Sequence, residues 1–514
     1  MSHPTEKPEV HFSQRSMQAV PWILFSKVLL FFAYFGISVL IVRGLGKEQY
    51  GVFALCKNFA DVLVMLCGLG MNAAILRFVP ELVVNRNRAG LVRILWKSAA
   101  LQAVLSVAAI VVMTPMTPLF DRWFNTTFGP LILLTAISVG FILAKSWYND
   151  VLTSLFLGKW VALASFVQGV SWAILLGWLV WSGGATVFTV IVVELASIAL
   201  SGAIAVFILL RHLKNLRWKS PLHGIGRKRV MEMGLATLGA SIGRTLMMKY
   251  SETFFLGVYF GPAAVALYDL GLSSTMLVIT FIPMALQTIF SSGFAEAYVK
   301  DKTCLPRLVA SLYKVIVLFS IPVAAFGLFF APAAVVLFYG EKMAGAGWIA
   351  SSFCVIHLLP LIAIPLSMAV AAVEKVKEFL PLLYIRVAVN LVLDWLLIPR
   401  FEIPGAIAAV VLTFVLTFPL RLRWIRSLLG GFHFPLWFFT KFSLVCPLIA
   451  GLIWWLFPHH NVLLLFAASG IYFAIFFLLL RFTPLLGQAD VAEFRDMGFS
   501  KLNRILDFLT GKPA

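Results

Sequence analysis

Apolar runs of about 20 residues, separated by short polar or Gly/Pro-rich stretches, recur along almost the whole chain. A helix of that length spans the hydrocarbon core of a bilayer, which is about 30 Å thick, and satisfies its own backbone hydrogen bonds there. The composition agrees, because 61% of the 514 residues are hydrophobic and only 12% are charged, whereas soluble domains carry about 25% charged residues. The sequence therefore predicts an all-α integral membrane protein and excludes a soluble globular domain.

These runs predict about fourteen membrane-spanning segments. They lie near residues 21–42, 51–78, 94–116, 129–149, 160–182, 185–211, 231–257, 263–289, 309–336, 344–373, 379–398, 404–427, 435–457 and 461–480. Residues 1–20 are polar and contain no small-residue cleavage site before the first run. We therefore expect the first segment to remain in the protein rather than to be removed with a signal peptide.

Positive charge is distributed unequally between the connections. One set of alternate connections carries most of the Lys and Arg residues, including the stretch 211–230 and the group Arg421, Arg423 and Arg426. Because cytoplasmic connections are enriched in Lys and Arg, this alternation supports fourteen segments and predicts that both termini are cytoplasmic. Basic loops beside anionic lipid headgroups also account for the formal net charge of +19, so no nucleic-acid partner is needed to explain it.

The chain divides into two halves of similar organisation. We predict a cytoplasmic tail at 1–20, an N-terminal lobe of six segments at 21–210, a basic cytoplasmic linker at 211–230, a C-terminal lobe of six segments at 231–430, an appended helix pair at 431–480, and a cytoplasmic tail with an amphipathic helix at 481–514. Residues 256–271 resemble residues 41–56 when Gly46 is aligned with Gly261 and Phe53 with Tyr268. Since both lobes start from the cytoplasm, the repeats are predicted to be parallel, about an axis along the membrane normal.

Charged residues within the predicted segments are the candidate functional residues, because each costs roughly 2.5–3.5 kcal/mol at the bilayer centre unless it faces water or a partner. The cations at such depth are Lys27, Lys57, Arg244, Lys249 and Arg386. Cations on helices of both halves predict a water-filled central cavity with a positive potential, which would bind a ligand carrying phosphate or carboxylate. All five are candidate substrate-binding residues.

The cations differ in whether an acidic residue lies three or four positions away on the same helix. Lys57 is four residues from Asp61, and Lys249 is three residues from Glu252, so a structural ion pair explains these two at least as well as ligand binding does. The other three, Lys27, Arg244 and Arg386, have no acid three or four residues away. Their alternatives are an acid on another helix or snorkelling to the membrane surface.

Three acidic residues, Asp61, Glu252 and Asp269, lie in the outer halves of their predicted segments, where a proton or sodium ion could bind. We predict an ion-coupling role for them, with the alternative that they hold the cations in place. The sequence has no Walker motif, no His/Cys metal-ligand spacing and no nucleophile motif in a suitable context. A transporter without a cofactor is therefore predicted rather than an enzyme, and the five cysteines, which show no paired spacing, are expected to be free thiols.

Glycine and proline interrupt several predicted segments. The residues are Gly68, Gly70, Pro283, Pro322, Pro360 and Pro365. We expect bends there, which are either static kinks with packing value or hinges for alternating access. His357, one turn before Pro360, is expected to be a satisfied interior histidine rather than a proton carrier.

A local motif near the start of the first half resembles a known family. It comprises Arg43, Leu45-Gly46, Tyr50-Gly51 and Phe53, followed by Gly68-Leu69-Gly70 and Leu76-Arg77. These residues resemble the polysaccharide-biosynthesis flippases, which are the Wzx-type members of the multidrug/oligosaccharidyl-lipid/polysaccharide exporter superfamily. The resemblance implies a V-shaped pair of six-helix lobes with an appended helix pair, in a bacterial cell inner membrane.

The same resemblance implies a substrate and partners. The substrate would be an oligosaccharide linked to undecaprenyl pyrophosphate, turned over from the inner to the outer leaflet for O-antigen, capsule or exopolysaccharide assembly. A polysaccharide polymerase and glycosyltransferases would act beside the protein. The cavity cations would hold the pyrophosphate, a role for which the five cations above are candidates.

Three other functions remain open at the level of sequence. A proton- or sodium-driven drug or metabolite exporter of the same superfamily is the main alternative, although such exporters for cationic drugs favour acidic cavities and twelve segments. A membrane-embedded glycosyltransferase or polymerase would need a sizeable outer loop or domain, and the predicted outer connections are short. A scaffold without transport activity would not need charges at membrane depth.

Overall fold

The computed structural model of the chain describes residues 31–85, 87–215, 227–245, 250–300, 305–373, 376–429, 434–457 and 461–482. Within these ranges the chain forms helices joined by short turns, which confirms the predicted all-α fold. Several predicted features lie outside them, namely the tail 1–20, Lys27, Lys249, Cys304, most of the basic linker and the amphipathic C-terminal helix.

The first half consists of eight helices. They are α1 (Phe31–Leu45), α2 (Lys47–Gly68), α3 (Met71–Val84), α4 (Arg88–Met113), α5 (Thr117–Phe124), α6 (Pro130–Ser154), α7 (Gly158–Trp181) and α8 (Val187–Asn215). A single 3-10 turn, Thr114–Met116, joins α4 to α5. Helices α2, α4 and α8 all pack against α6, and α7 packs against α8. Helix α6 therefore lies at the centre of the first half.

The second half consists of seven helices followed by an additional pair. They are α9 (Arg227–Thr245), α10 (Ser251–Phe260), α11 (Pro262–Lys300), α12 (Leu305–Tyr339), α13 (Gly347–Ile356), α14 (Leu358–Ala372) and α15 (Val376–Leu429), and then α16 (Leu436–Leu456) and α17 (Val462–Phe482). Helices α11, α13 and α14 pack against α12, and α10 packs against α15. Helix α12 is thus the central helix of the second half.

Eleven helical stretches among the described residues are long and apolar enough to cross a membrane, and α1 is a further, shorter apolar helix. The predicted first segment begins at residue 21 and the predicted seventh includes 246–249, and both of these stretches fall outside the described ranges. The count of fourteen therefore stays a prediction, whereas the polytopic helical architecture is established.

Helix α15 contains two predicted segments in one continuous helical stretch. Its 54 residues would form a straight rod of about 80 Å at 1.5 Å per residue. Glu402 interrupts it with φ 52° and ψ −131°. A side chain at Gly405 would collide with the carbonyl group of Leu397, although eight residues of straight helix would separate these positions by roughly 12 Å. The chain therefore turns back near Glu402, and α15 comprises two arms that match predicted segments 379–398 and 404–427.

The predicted bend at Gly68 and Gly70 is confirmed as a break between two helices. Helix α2 ends at Gly68, Leu69 adopts a left-handed conformation with φ 45°, and Gly70 follows with φ 65° before α3 begins. A Cβ atom at Gly70 would collide with the carbonyl oxygen of Gly234 in α9. Glycine is thus required both for the backbone conformation and for the close approach of the two halves.

The two aligned glycines at the start of each half have nearly the same backbone conformation. Gly46, between α1 and α2, has φ 74° and ψ 175°. Gly261, between α10 and α11, has φ 77° and ψ −177°. Both values lie in a region that residues with a Cβ atom rarely adopt. The weak sequence similarity of the two junctions therefore corresponds to a repeated structure.

The appended helices α16 and α17 pack on α12. Phe330 of α12 forms an apolar cluster with Ile453 of α16 and Ala468 of α17, among others. Tyr472 of α17 donates a hydrogen bond to the carbonyl oxygen of Pro322 at 2.9 Å. The predicted helix pair at the C-terminal end therefore belongs to the second half.

Two smaller predictions concern buried polar or reactive residues. His357 lies in a turn between α13 and α14, and its Nε2 atom is 3.1 Å from the carbonyl oxygen of Leu272, so it is a satisfied interior histidine. Four of the five cysteines lie in the described ranges, at positions 56, 67, 354 and 446, and all four are free thiols.

Candidate functional site

The described residues include the side chains of five of the eight residues that sequence analysis singled out. These are Lys57 and Asp61 in α2, Glu252 in α10, Asp269 in α11 and Arg386 in α15. Arg244 lies in α9, but its side chain is outside the described set, as are Lys27 and Lys249. The site can therefore be built from one cation of each half and its surroundings.

In the first half, Lys57, Lys145 and Glu194 form a polar group that we call the first-half cluster. The Nζ atom of Lys57 lies 2.7 Å from Oε1 of the buried Glu194 in α8. Asp61 is within electrostatic reach of Lys57, but its Oδ2 atom accepts a hydrogen bond from Tyr250 at 3.1 Å. The salt-bridge partner of Lys57 is therefore Glu194 on another helix rather than Asp61 on its own helix.

Lys145 is a cation that the sequence analysis did not single out. It lies in α6 within electrostatic reach of both Glu194 and Lys57. No salt bridge is formed by Lys145 among the described residues, since Glu194 binds Lys57 instead. The signal that identified Lys57, a cation inside a predicted segment, applies equally to Lys145.

In the second half, Glu252, Asn390 and Asp394 form a buried group that we call the second-half cluster. The amide Nδ2 atom of Asn390 donates to Oδ2 of Asp394 at 2.6 Å and lies 3.3 Å from Oε1 of Glu252. The two carboxyl groups are buried, that of Glu252 in α10 and that of Asp394 in α15. Within the part of the chain that the structure describes, the Oδ1 atom of Asp394 has no hydrogen-bond partner. Two carboxyl groups thus share one amide donor.

Two arginines of α15, Arg386 and Arg421, lie within electrostatic reach of one another, and we call them the arginine pair. Arg386 is also within electrostatic reach of Glu252. Arg421 donates from Nη2 to the hydroxyl group of Ser367 at 2.7 Å. The Nε atoms of both arginines are buried and lack a hydrogen-bond partner among the described residues. Buried donors without partners are rare in folded proteins, which makes these two guanidinium groups candidates for binding an anion.

Arg421 is the second functional candidate that sequence analysis missed. It stands close to Arg423 and Arg426, and the group was read as part of a cytoplasmic connection. Both residues lie in α15, where Arg421 is half-buried and Arg423 is exposed. The predicted segment 404–427 contains both arginines, and the contact with Ser367 distinguishes Arg421 from Arg423.

Side-chain hydrogen bonds between described residues join α2 to the second half, along a contact that we call the seam. They link Tyr50 to Asp269 (2.8 Å), Asn58 to Thr253 (2.9 Å) and Tyr250 to Asp61 (3.1 Å). Two of the three predicted ion-coupling acids, Asp61 and Asp269, therefore accept hydrogen bonds across the seam. Only Glu252 lies in a cluster with a second carboxyl group.

The two halves also make close contacts near the start of α2 and near the end of α3. A Cβ atom at Gly51 would collide with the carbonyl group of Pro262 at the start of α11. Farther along the chain, Arg229 of α9 lies 3.3 Å from Glu81 of α3. Arg43 of α1 also crosses between the halves, since its guanidinium group donates to the last carbonyl groups of α12, including that of Leu337 at 2.7 Å.

This arrangement suits the binding of anions and of small cations at separate places. Guanidinium groups bind phosphate oxygens bidentately, and the arginine pair retains buried donors. The second-half cluster supplies carboxylate and amide oxygens, which are ligands for a proton or an alkali-metal ion. Among the described residues, no group of three or more His, Cys, Asp or Glu side chains is arranged to hold a metal ion.

Comparison with known families gives one match. A family profile described as polysaccharide biosynthesis protein matches residues 16–290, which is more than half of the chain. A search of curated protein sequences finds no match.

Comparison with solved structures finds transporters of the same fold. The lipid II flippase MurJ in an inward-closed conformation has a TM-score of 0.66 at 15% identity, with 88% of this chain and 99% of that chain covered. An inward-facing multidrug resistance transporter of the MATE family has a TM-score of 0.64 at 15% identity, covering 79% and 98%. A transporter of the MOP superfamily from Pyrococcus furiosus, described as having a binding pocket of reversed polarity, has a TM-score of 0.56 at 16% identity, covering 79% and 94%.

Proposed function

The chain belongs to the polysaccharide biosynthesis protein family, and from that premise we propose that it is a flippase for a lipid-linked oligosaccharide. The substrate is an oligosaccharide on undecaprenyl pyrophosphate, which is moved from the cytoplasmic to the outer leaflet of the cell inner membrane. The product then serves the assembly of a surface polysaccharide such as O-antigen, capsule or exopolysaccharide. The chain acts as a transporter rather than as an enzyme.

The observation that carries this proposal is the arginine pair. Arg386 and Arg421 keep buried Nε donors that no described residue satisfies. Leaving a buried donor unsatisfied costs about 1–3 kcal/mol, and more for a charged group. A phosphate group that enters between the two guanidinium groups recovers this energy through charge-assisted hydrogen bonds. The pair therefore supports an anionic headgroup as the ligand.

The first-half cluster supplies a second, exchangeable contact. Lys57 is held by Glu194 at 2.7 Å, and Lys145 lies beside them. Arrival of a pyrophosphate offers both ammonium groups a stronger acceptor than one shared carboxylate. Release of Lys57 from Glu194 toward the substrate would connect the two halves through the headgroup. Lys27, Arg244 and Lys249 are proposed to belong to the same anion-binding lining.

Ion coupling is assigned to the second-half cluster. Glu252 and Asp394 are buried side by side with Asn390 as their shared donor. Two carboxylates at such proximity repel each other when both are ionised, so binding of a proton or sodium ion stabilises the cluster. Arg386 lies within electrostatic reach of Glu252. When the second-half cluster binds a cation, the electrostatic attraction between Glu252 and Arg386 weakens. The guanidinium group of Arg386 is then freer to bind the headgroup.

Alternating access requires the seam to open and close. Asp61 and Asp269 accept hydrogen bonds across it, so these acids contribute to coupling through bonds that the rearrangement breaks. Breaking a few side-chain hydrogen bonds of about 0.5–1.5 kcal/mol each is a small cost compared with the binding of a pyrophosphate. The seam thus supports a reversible rearrangement of the two halves.

The fold alone is shared with drug exporters, so the alternative function is an ion-driven exporter of drugs or metabolites. Such a protein would need a net acidic or apolar binding site for a cationic drug. The buried arginine pair argues for the anionic substrate. Polysaccharide polymerases and glycosyltransferases are the proposed functional partners, because they would consume and supply the lipid-linked sugar.

The test is a flipping assay with purified protein in liposomes that contain a fluorescent sugar on undecaprenyl pyrophosphate. Wild-type protein is expected to expose the label to a membrane-impermeant quencher, and Arg386→Gln or Arg421→Gln is expected to slow this at least tenfold. Arg423→Gln is the matched control, since Arg423 lies two residues from Arg421 in the same helix and is exposed. Wild-type activity in both pair variants, or efflux of a cationic drug with no flipping, would contradict the proposal.

A further inference from the structure

An amphiphilic groove lies where α3 and α4 of the first half meet α9 of the second half. It encloses about 700 Å³, which falls within the range of roughly 300–1,000 Å³ that is typical of ligand sites. Its apolar lining includes Leu69, Met71, Leu82, Ile94, Val230 and Leu235. We call it the α4/α9 groove. It is distinct from the arginine pair and from both polar clusters, none of whose residues line it.

Two cations stand in the wall of this groove. Arg93 and Lys97 are one helical turn apart on α4, and both line the cavity with exposed side chains. Helix α4 contains no Asp or Glu, and neither cation forms a salt bridge among the described residues. The nearby carboxylate of Glu81 is already engaged by Arg77 and Arg229. The groove therefore combines an apolar lining with two cations that form no salt bridge within the described part of the chain.

The predicted topology places these cations near the depth of lipid phosphates. Arg93 and Lys97 follow the first residue of α4, Arg88, by roughly 8 and 14 Å at 1.5 Å per residue. The start of α4 is the predicted cytoplasmic end of this helix, so the two side chains reach the boundary between headgroups and hydrocarbon. The apolar residues Ile94 and Leu101 continue the lining along the same helix. A ligand here would place its phosphates at the surface and its chain toward the membrane interior.

We propose that the α4/α9 groove is the entry site for the lipid carrier, where the isoprenoid chain and the pyrophosphate bind before the headgroup moves between the halves. This inference rests on the proposed flippase function. Two adjacent cations match the pyrophosphate, which carries more than one negative charge, better than the single charge of a phosphodiester phospholipid. The position also fits, because the groove lies between the two halves, where Gly70 and Gly234 allow α3 and α9 to approach closely.

The test measures binding directly by native mass spectrometry of the purified full-length protein with undecaprenyl pyrophosphate or phosphatidylglycerol as the probe. Arg93→Gln/Lys97→Gln is expected to weaken binding of undecaprenyl pyrophosphate at least tenfold while changing phosphatidylglycerol binding less than twofold. Leu235→Trp, which fills the groove from α9, is expected to weaken the binding of undecaprenyl pyrophosphate by a similar factor. Matched controls are Lys159→Gln, an exposed cation outside the groove, and Val104→Trp, an exposed apolar position of α4 outside the groove.

The outcomes separate this inference from the proposed function. Unchanged binding in the groove variants would overturn the inference even if the wild-type protein flips its substrate. An equal loss of both lipids would also overturn it, because the groove would then be a general headgroup site. Failure of the wild-type protein to bind undecaprenyl pyrophosphate at all would count against the flippase function itself. Preferential loss in the groove variants, with slower flipping and intact fold, supports the entry site.

Discussion

At the scale of single residues, buried charged side chains determine most of the binding chemistry of the candidate site. The sequence identified Lys57 and Arg386 correctly as cations inside helices, because the cost of burying a charge is independent of the fold. It could not identify Glu194 as the partner of Lys57, since 137 residues separate them along the chain. It grouped Arg421 with the cytoplasmic cations at the end of the segment 404–427, because the side chain that Arg421 contacts, Ser367, lies on another helix. Burial depth follows from local sequence, whereas the partner of a charge follows from tertiary packing.

The salt bridge between Lys57 and Glu194 gives a prediction about stability. Glu194→Gln leaves Lys57 without its carboxylate, and the free energy of unfolding should fall. The loss should stay below the roughly 3–5 kcal/mol typical of fully buried pairs, because the Lys57 side chain is 24% exposed. Thermal unfolding in detergent measures the change, with the exposed Glu48→Gln as control.

A second variant tests the cause of that loss. Lys57→Met combined with Glu194→Gln removes the uncompensated charge and should recover most of the stability. If the double variant unfolds at the same temperature as Glu194→Gln alone, the lost stability does not come from an unpaired Lys57.

At the scale of helices, the interruptions were partly predictable. Gly68 and Gly70 predicted the break between α2 and α3, and Gly70 adopts the left-handed conformation that glycine tolerates, whereas the other left-handed residue is Leu69. Glu402 gave no such signal, since its side chain does not favour φ 52°. The surrounding Pro and Gly residues placed the turn correctly between the predicted segments 379–398 and 404–427. They did not show which residue adopts the strained conformation.

Glu402 therefore provides a prediction about strain. A non-glycine residue at positive φ costs about 1–3 kcal/mol, so Glu402→Gly should raise the thermal unfolding temperature and leave flipping intact. Arg400→Gly, two residues earlier in ordinary helix, should lower it by an amount corresponding to about 1 kcal/mol. Differential scanning fluorimetry of the purified variants gives both values. Destabilisation by Glu402→Gly equal to that of the control would show that Glu402 bears no strain.

At the scale of the whole molecule, the two halves meet along a seam that includes the hydrogen bonds of Tyr50, Asn58 and Asp61. The fold class and the family followed from the apolar runs and from a short motif around Gly46. The relative placement of the halves did not follow, because Tyr50, Asp269 and the other seam residues lie in helices whose facing surfaces the sequence does not specify. Even so, the pattern of hydrogen bonds across the seam makes the closed arrangement testable.

Tyr50→Phe removes the 2.8 Å hydrogen bond to Asp269 without changing the shape of the side chain. We expect a larger population with the halves apart at that end, corresponding to a shift of about 0.5–1.5 kcal/mol. Spin labels at Arg122→Cys and Glu341→Cys, one in each half, would report a longer distance component in pulsed electron resonance. Tyr148→Phe is the matched control, because its bond to Ser201 lies within the first half. Identical distance distributions in both variants would exclude a role for Tyr50 in holding the seam closed.

Gly46 and Gly261 have near-identical conformations at the aligned junctions of the two halves. In a fully symmetric pair of halves, every contact at the seam would occur twice. The same alignment makes Asp269 equivalent to Ala54 and Tyr50 equivalent to Val265, so today only one of the two related places has a donor and an acceptor. The boundary is therefore polar at one of the two related places and apolar at the other, so a change of solvent or of the Tyr50 side chain acts on the two places unequally.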